Sequence, residues 1–165
     1  MTRVVVLALG SNLGDREGML ATAIRELRAL LGPVTLSRVY ETAPMYVTDQ
    51  PAFLNMALSA VTDLAPLDLL DKVKALETRI GRVPSVVNGP RAIDIDILFH
   101  GDAVLETERL VLPHPRIAER AFVLAPLADI VPDHPVPTTG KSVRDLLDVV
   151  PGRDTVVVVD KPEIA

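Results

Sequence analysis

Hydrophobic and polar positions change period several times along this chain, and each change marks an element. Val4–Leu9 is apolar and β-branched, as a buried strand requires, and it runs into Gly10-Ser11-Asn12-Leu13-Gly14-Asp15, a loop with helix-starting residues. Leu20, Ala23, Ile24, Leu27, Leu30 and Leu31 then recur at helical spacing until Gly32-Pro33 stops the helix. Val34–Tyr40 predicts a second strand, and Glu41–Pro51, holding two prolines and little periodicity, a loop. Phe53–Val61 alternates, with Leu54, Met56, Leu58 and Ala60 on one face and Phe53 and Asn55 on the other. Pro66 suits the first turn of a helix whose stripe of Leu69, Val73, Leu76 and Ile80 ends at Gly81.

A second long loop follows over Arg82–Arg91, and then Ala92–Phe99 alternates again. Ile93, Ile95, Ile97 and Phe99 oppose Asp94, Asp96 and Leu98. Beyond His100 the pattern weakens. Leu112-Pro113-His114-Pro115 reads as a loop, and Arg116–Ile130 as mostly helical with an interruption at Pro126. Ser142-Val143-Arg144-Asp145 resembles a capping box before a short helix. Thr155–Val159 predicts a last strand that either joins this sheet or pairs with another chain. The order β-α-β-β-α-β predicts one α+β domain over residues 1–165. Its expected core is a ferredoxin-like split βαβ unit with helices packed on the sheet, extended by C-terminal helical and strand additions. A doubly wound parallel sheet is excluded, because no helix separates the second strand from the third.

Composition narrows the function classes. Hydrophobic residues make up 48% of the 165 and aromatics only 3%, so the core must be aliphatic. A charged fraction of 24% with clear periodicity excludes intrinsic disorder. No apolar run approaches the roughly 18 residues of a membrane span, and the N-terminus lacks the features of a signal peptide. With no cysteine, a disulfide scaffold, a thiolate metal site and a Cys nucleophile are all excluded, and the expected setting is the cytoplasm. A net charge of −5 argues against a nucleic-acid surface. Arginine outnumbers lysine 13 to 4, which reflects either genome composition or the use of guanidinium groups as bidentate phosphate clamps.

Positions favour the second. Asp94 and Asp96 emerge on one strand face with Cα atoms roughly 6.5–7 Å apart. Carboxylates that close repel unless a cation lies between them, and Mg²⁺ suits such a pair because water and phosphate oxygens complete its octahedron. Without its context an Asp-x-Asp on a strand is more often a solvated face. Here Gly89-Pro90-Arg91 delivers an arginine directly before it, and Arg82 opens the same loop. His114 taken alone is more often a satisfied structural histidine; flanked by Arg109 and Arg120, it suits a hydrogen bond to phosphate or ribose better than zinc. Phe53 and Asn55 share a face and offer a stacking surface and a paired donor and acceptor to a flat heterocycle, with Phe122 as a second ring; ordinary core packing is the competing reading for both rings. The glycines at 10 and 14 make neither a P-loop nor a Gly-x-Gly-x-x-Gly cradle, and no Gly-x-Ser-x-Gly elbow occurs.

Several segments together resemble one family. They are Leu9–Asp15, Tyr40-Glu41-Thr42-Ala43-Pro44, Gln50–Asn55, Gly89–Ile97, Leu112–Pro115 and Arg120–Leu124, in the family's order and covering the chain to about Ile130. The family is 6-hydroxymethyl-7,8-dihydropterin pyrophosphokinase, of folate biosynthesis. The resemblance implies that ATP donates a pyrophosphoryl group to the pterin hydroxymethyl oxygen and leaves as AMP, with two Mg²⁺ on the triphosphate. It implies Asp94 and Asp96 as metal ligands and Arg82 and Arg91 as the loop cations that close on the phosphates. Glu77, Ile97, Arg109, Val111, His114 and Arg120 fall where the family contacts ATP. Thr42, Ala43, Pro44, Met45, Phe53, Asn55 and Phe122 fall where it holds the pterin. No strong general base stands out, and Asp96 acting through a metal-bound water is the candidate. A monomer with no nucleic-acid or membrane partner is expected. Asn88 stands where the family usually carries tryptophan, and Pro84 and Ser85 where basic residues are common, so this loop carries less aromatic surface and less charge. The competing readings are a non-catalytic ferredoxin-like binding module, a decayed homologue that still binds ATP, and a kinase that moves only the γ-phosphate.

Overall fold

The computed structural model describes residues 2–42, 52–81, 93–161 and 164. Strand β1 (Arg3–Ser11) leads to helix α1 (Arg16–Leu31), which Asp15 caps by accepting the Gly18 N–H at 3.0 Å. The helix ends at Gly32, whose φ of 82° only glycine adopts readily. The expected second strand is split into β2 (Thr35–Leu36) and β3 (Val39–Thr42). The break has a local cause. Ser37 takes both backbone groups of Ala57, donating its N–H to the carbonyl at 2.9 Å and accepting the Ala57 N–H on Oγ at 2.8 Å, while the Arg38 N–H turns away to Asp129.

Strand β4 (Phe53–Thr62) and helix α2 (Pro66–Ile80) follow the predicted bounds closely, with Pro66 at the first turn and Gly81 at the end. Strand β5 (Asp94–His100) runs antiparallel to β1 but slips register between Val6 and Leu7, so that Leu7 faces Ile97 and Val6 faces Phe99. This bulge corrects the simple alternation: Phe99 joins Leu98 in the core on the acid-bearing side. Short pairs β6 (Leu105–Glu106) with β7 (Val111–Leu112), and β8 (Pro135–Val136) with β9 (Lys141–Ser142), flank helix α3 (Ala121–Ile130). The predicted interruption at Pro126 does not occur, because Pro126 is buried inside α3; the break falls instead at extended Arg120, after a 3-10 turn over Ile117–Glu119. Helix α4 (Val143–Val149) carries the capping box in full, with Ser142 Oγ and Asp145 Oδ2 each accepting the other's N–H at 3.1 Å. Strand β10 (Val156–Val159) joins this chain's own sheet along β3.

The sheet order is β10-β3-β4-β1-β5, with β2 also on β4. One face packs Leu9, Leu54, Met56, Leu58, Ile93, Ile95 and Ile97 against Leu20, Ile24 and Leu27 of α1 and Leu69, Val73 and Leu76 of α2. The other packs Val6, Ala57 and Phe99 under Val123, Leu124 and Leu127 of α3 and Leu146 of α4. The result is three layers of mixed α+β architecture, helices on both sides of an antiparallel sheet. Helix α3 is fastened by one carboxylate: Asp129 accepts the Tyr40 hydroxyl at 2.9 Å, the Arg38 N–H at 3.0 Å and the Arg38 guanidinium at 2.9 Å. Burial, followed by the Asp129 hydrogen bond, pushes the Tyr40 hydroxyl up to about 12, so it remains a donor at any working pH. Tyr40→Phe removes the bond to Asp129 and the one the hydroxyl accepts from Arg38 at 3.1 Å, and is expected to cost about 1–2 kcal/mol in urea unfolding; a change below about 0.5 kcal/mol would show that the Arg38–Asp129 pair does not need the hydroxyl.

Candidate active site

Directly paired residues of an antiparallel sheet point to the same face, so the register assembles the site. Gly10 on β1 faces Asn55 of β4 on one side and Asp94 of β5 on the other. Ala8 likewise lies between Ala57 and Asp96, while Thr42 of β3 faces Phe53. Thr42, Phe53, Asn55, Asp94 and Asp96 therefore share one face across four strands. Asn55 donates from Nδ2 to Thr42 Oγ1 at 2.7 Å, and a Cβ on Gly10 would stand 3.0 Å from Asn55 Oδ1. Glycine thus gives the buried amide its room.

On the acid side, Asp94 and Asp96 are both half-buried. Burial first, and the Asp94 charge second, push the Asp96 carboxyl up to about 7; Glu77 adds to the rise, and Lys74 and Arg120 oppose it. Glu77 is fully buried and accepts the Ile95 N–H on Oε2 at 2.6 Å and the Lys74 ammonium on Oε1 at 3.1 Å. Ile95 is the residue between the two acids, so this one carboxylate ties α2 to the strand segment that presents them. Among the described residues no group of three or more His, Asp or Glu stands close enough to hold a metal by itself. Two hard carboxylate oxygens with a mutual charge penalty fit Mg²⁺, which takes few protein ligands and keeps waters or phosphate oxygens.

Beside the acids lies a cleft of about 220 Å³. Asp96, Ile97, Arg109, Val111 and His114 all line it, as do Leu70, Lys74, Thr107 and Glu108. Leu70, Ile97, Leu110 and Val111 give it an apolar wall. His114 is held neutral, its imidazole lowered to about 4 by burial and then by Arg120 and Arg116, with Asp94 opposing. The Arg116 N–H reaches His114 Nδ1 at 3.3 Å, which assigns the ring proton to Nε2 as a donor. Arg109 pairs with Asp71 of α2. The Arg120 guanidinium lies 5.6 Å from the centroid of the Phe122 ring, at the start of α3. A larger groove of about 450 Å³ between α1 and α2 contains none of the residues singled out from sequence.

Ile97, Arg109, Val111 and His114 line one cleft with Asp96, and Glu77 is buried rather than on its wall. Thr42, Phe53 and Asn55 form a second group, on the sheet face that carries Asp94 and Asp96. Arg82, Arg91, Ala43, Pro44, Met45 and Asn88 lie outside the described residues. Sequence reasoning missed Lys74, whose only signal is its place three residues before Glu77, and Leu70, which reads as ordinary helix core.

Comparison with known proteins points to one family. The sequence profile of the 7,8-dihydro-6-hydroxymethylpterin-pyrophosphokinase (HPPK) family matches residues 6–132. A 2-amino-4-hydroxy-6-hydroxymethyldihydropteridine pyrophosphokinase of Methylorubrum extorquens is 47% identical over 89% of this chain and 92% of its own length. The protein of the same name from Bacillus subtilis is 46% identical over 79% of each. The mitochondrial folate synthesis bifunctional protein of Arabidopsis thaliana is 45% identical over 77% of this chain, which spans only 23% of that protein. The chain likewise spans about a fifth of the fungal folic acid synthesis proteins it matches. Among solved structures, wild-type Plasmodium falciparum HPPK-DHPS with pteroate has a TM-score of 0.70 at 20% identity, covering 90% of this chain and 42% of that one. That likeness establishes the shared α+β fold.

The raised Asp96 carboxyl makes folding take up a proton, so the metal-free chain loses stability as pH climbs from the ordinary carboxylate range through about 7. Mg²⁺ needs the same group deprotonated. The rise in unfolding midpoint caused by Mg²⁺ is therefore expected to grow from about pH 5.5 to about pH 8 and to vanish in Asp96→Asn; equal rises at both pH values contradict a site built on these two acids.

Proposed function

The chain belongs to the 7,8-dihydro-6-hydroxymethylpterin-pyrophosphokinase family, and on that premise we propose that it transfers pyrophosphate from ATP to the hydroxymethyl group of 6-hydroxymethyl-7,8-dihydropterin, a step of folate biosynthesis. The carrying observation is that the acid pair and the Thr42–Phe53–Asn55 group occupy one face of one sheet, while Asp96 also lines the cleft at that sheet's β5 edge. A donor and an acceptor bound to these two groups meet over β1, between Asn55 and Asp94.

The cleft holds the ATP. Leu70, Ile97 and Val111 flank the base, His114 Nε2–H and Arg109 donate to ribose or phosphate oxygens, and Arg120 supplies a fixed positive charge near Asp96. Thr42 and Asn55 address the polar edge of the pterin while Phe53 and Phe122 stack on its faces, and Ala43, Pro44 and Met45 complete its pocket. Asp94 and Asp96 would hold two Mg²⁺ with the triphosphate, and the ions, when bound, would neutralise charge on its oxygens and align the β-phosphorus. The pterin hydroxyl oxygen attacks that phosphorus in line. One O–P bond forms, the bond from the β-phosphorus to the oxygen shared with the α-phosphate breaks, AMP leaves, and the hydroxyl proton is released, with Asp96 the nearest candidate to receive it. Arg82 and Arg91 are assigned to the developing charge on the transferred group.

The strand order β3-β4-β1-β5, with α1 and α2 as crossovers, supports reading the core as ferredoxin-like and residues 1–165 as one domain. A monomer in the cytoplasm with no nucleic-acid or membrane partner remains the expectation; a net charge of −5 disfavours a nucleic-acid surface, and among the described residues no helix is long and apolar enough to cross a membrane. Product identity tests the proposal. With ATP, Mg²⁺ and the dihydropterin alcohol, AMP is expected to form only when the pterin is present. ADP as product would indicate a γ-phosphate kinase, and metal-independent binding without turnover a sensing module.

A further inference from the structure

One charged group outside both halves of the site touches two strand ends at once. Arg16 opens α1, and its Nη1 donates to Glu41 Oε2 at 3.2 Å and to the Ala52 carbonyl at 2.9 Å. Glu41 directly precedes Thr42 in β3, and Ala52 directly precedes Phe53 in β4, and Thr42 and Phe53 are themselves the last paired residues of those strands. A single guanidinium therefore bridges the pair on which the pterin half of the site is built. It is itself braced. Glu17 Oε1 lies 4.0 Å from Arg16 Nη2 and 2.9 Å from Lys161 Nζ, and the Lys161 hydrogen bond holds Glu17 below the usual carboxylate range. Lys161 follows β10, whose Val156 pairs with Thr42 from the other side, and Ile164 beyond it is buried in the main core. This C-terminal segment lies past residue 132, where the family match ends.

We infer that Arg16 is a positioning residue for the pterin: it fixes the separation and orientation of Thr42 and Phe53 by joining the strand ends that carry them. The guanidinium matters, because Nη1 alone serves the carboxylate and the carbonyl while Nη2 lies toward Glu17, an arrangement that the single nitrogen of a lysine ammonium does not reproduce. Arg16 has three-quarters of its side chain covered and pairs with oxygens only, so its removal leaves the aliphatic core intact. The inference rests on the pterin reading of that half of the site.

Arg16→Met, which keeps an unbranched stem, and Arg16→Lys test it by two readouts. Amide hydrogen exchange at residues 41–42 and 53–55 is expected to quicken about tenfold in Arg16→Met, the effect of one charge-assisted hydrogen bond, while β1 and β5 keep their protection. Calorimetry is expected to give an about tenfold weaker Kd for 6-hydroxymethyl-7,8-dihydropterin, with the Kd for Mg-ATP unchanged and Arg16→Lys intermediate. An unchanged pterin Kd, or equal weakening for both ligands, overturns the inference. Locally faster exchange in a protein whose wild type binds Mg-ATP but no pterin overturns the functional reading instead.

Discussion

The site depends on a place where a side chain is missing. Gly10 sits on the central strand β1, hydrogen-bonded to β4 on one side and β5 on the other. An added Cβ there would stand 3.0 Å from the Asn55 carbonyl oxygen. Because Gly10 pairs with both Asn55 and Asp94, one backbone position sets how the Asn55 amide and the first acid face each other. Strand spacing of about 4.8 Å then fixes their separation at about two strand widths, without any side chain having to span it. Everything else in the site is arranged around this antiparallel register.

The two helical layers act on it from opposite faces. Under the sheet, α2 sends up the buried Glu77 carboxylate, which holds Ile95 between the two acids and keeps Lys74 at the edge of the cleft. A buried carboxylate in a low-dielectric layer is costly unless it is satisfied, and here a backbone N–H and an ammonium satisfy it. Over the sheet, Asp129 ties α3 to Arg38 and Tyr40, and that helix, whose start carries Arg120 and Phe122, packs on the acid-bearing face. The electrostatics follow from this layering. A carboxyl lifted to about 7 and an imidazole lowered to about 4 lie in one cleft, where burial penalises both charged forms.

Much of this was legible in the sequence, because strand alternation is a strong local signal. Phe53 with Asn55, and Asp94 with Asp96, stand out as polar or aromatic residues facing away from aliphatic stripes, and each pair does share the expected face. The capping box at Ser142 and the helix stops at Gly32 and Gly81 are likewise local, and they hold. What failed depends on distant partners. The split at Ser37 arises from Ala57 in another strand, and the bulge that turns Phe99 over arises from pairing with Val6. Pro126 fits inside α3, and nothing in the neighbouring residues announces that the helix breaks at Arg120 instead. Lys74 and Arg16 were missed for the same reason, since their partners are fixed only when helix ends meet strand ends.

If the register through Gly10 governs the site, enlarging that position must disturb one half and spare the other. The direct measurement is the Kd for the dihydropterin and for Mg-ATP in Gly10→Ala, with far-UV circular dichroism confirming an intact fold. The account predicts an about tenfold weaker pterin Kd, roughly 1.4 kcal/mol, as the added methyl pushes the Asn55 amide aside, with Mg-ATP binding unchanged. Unchanged pterin affinity in a folded variant would contradict it, since the amide would then not owe its place to the glycine.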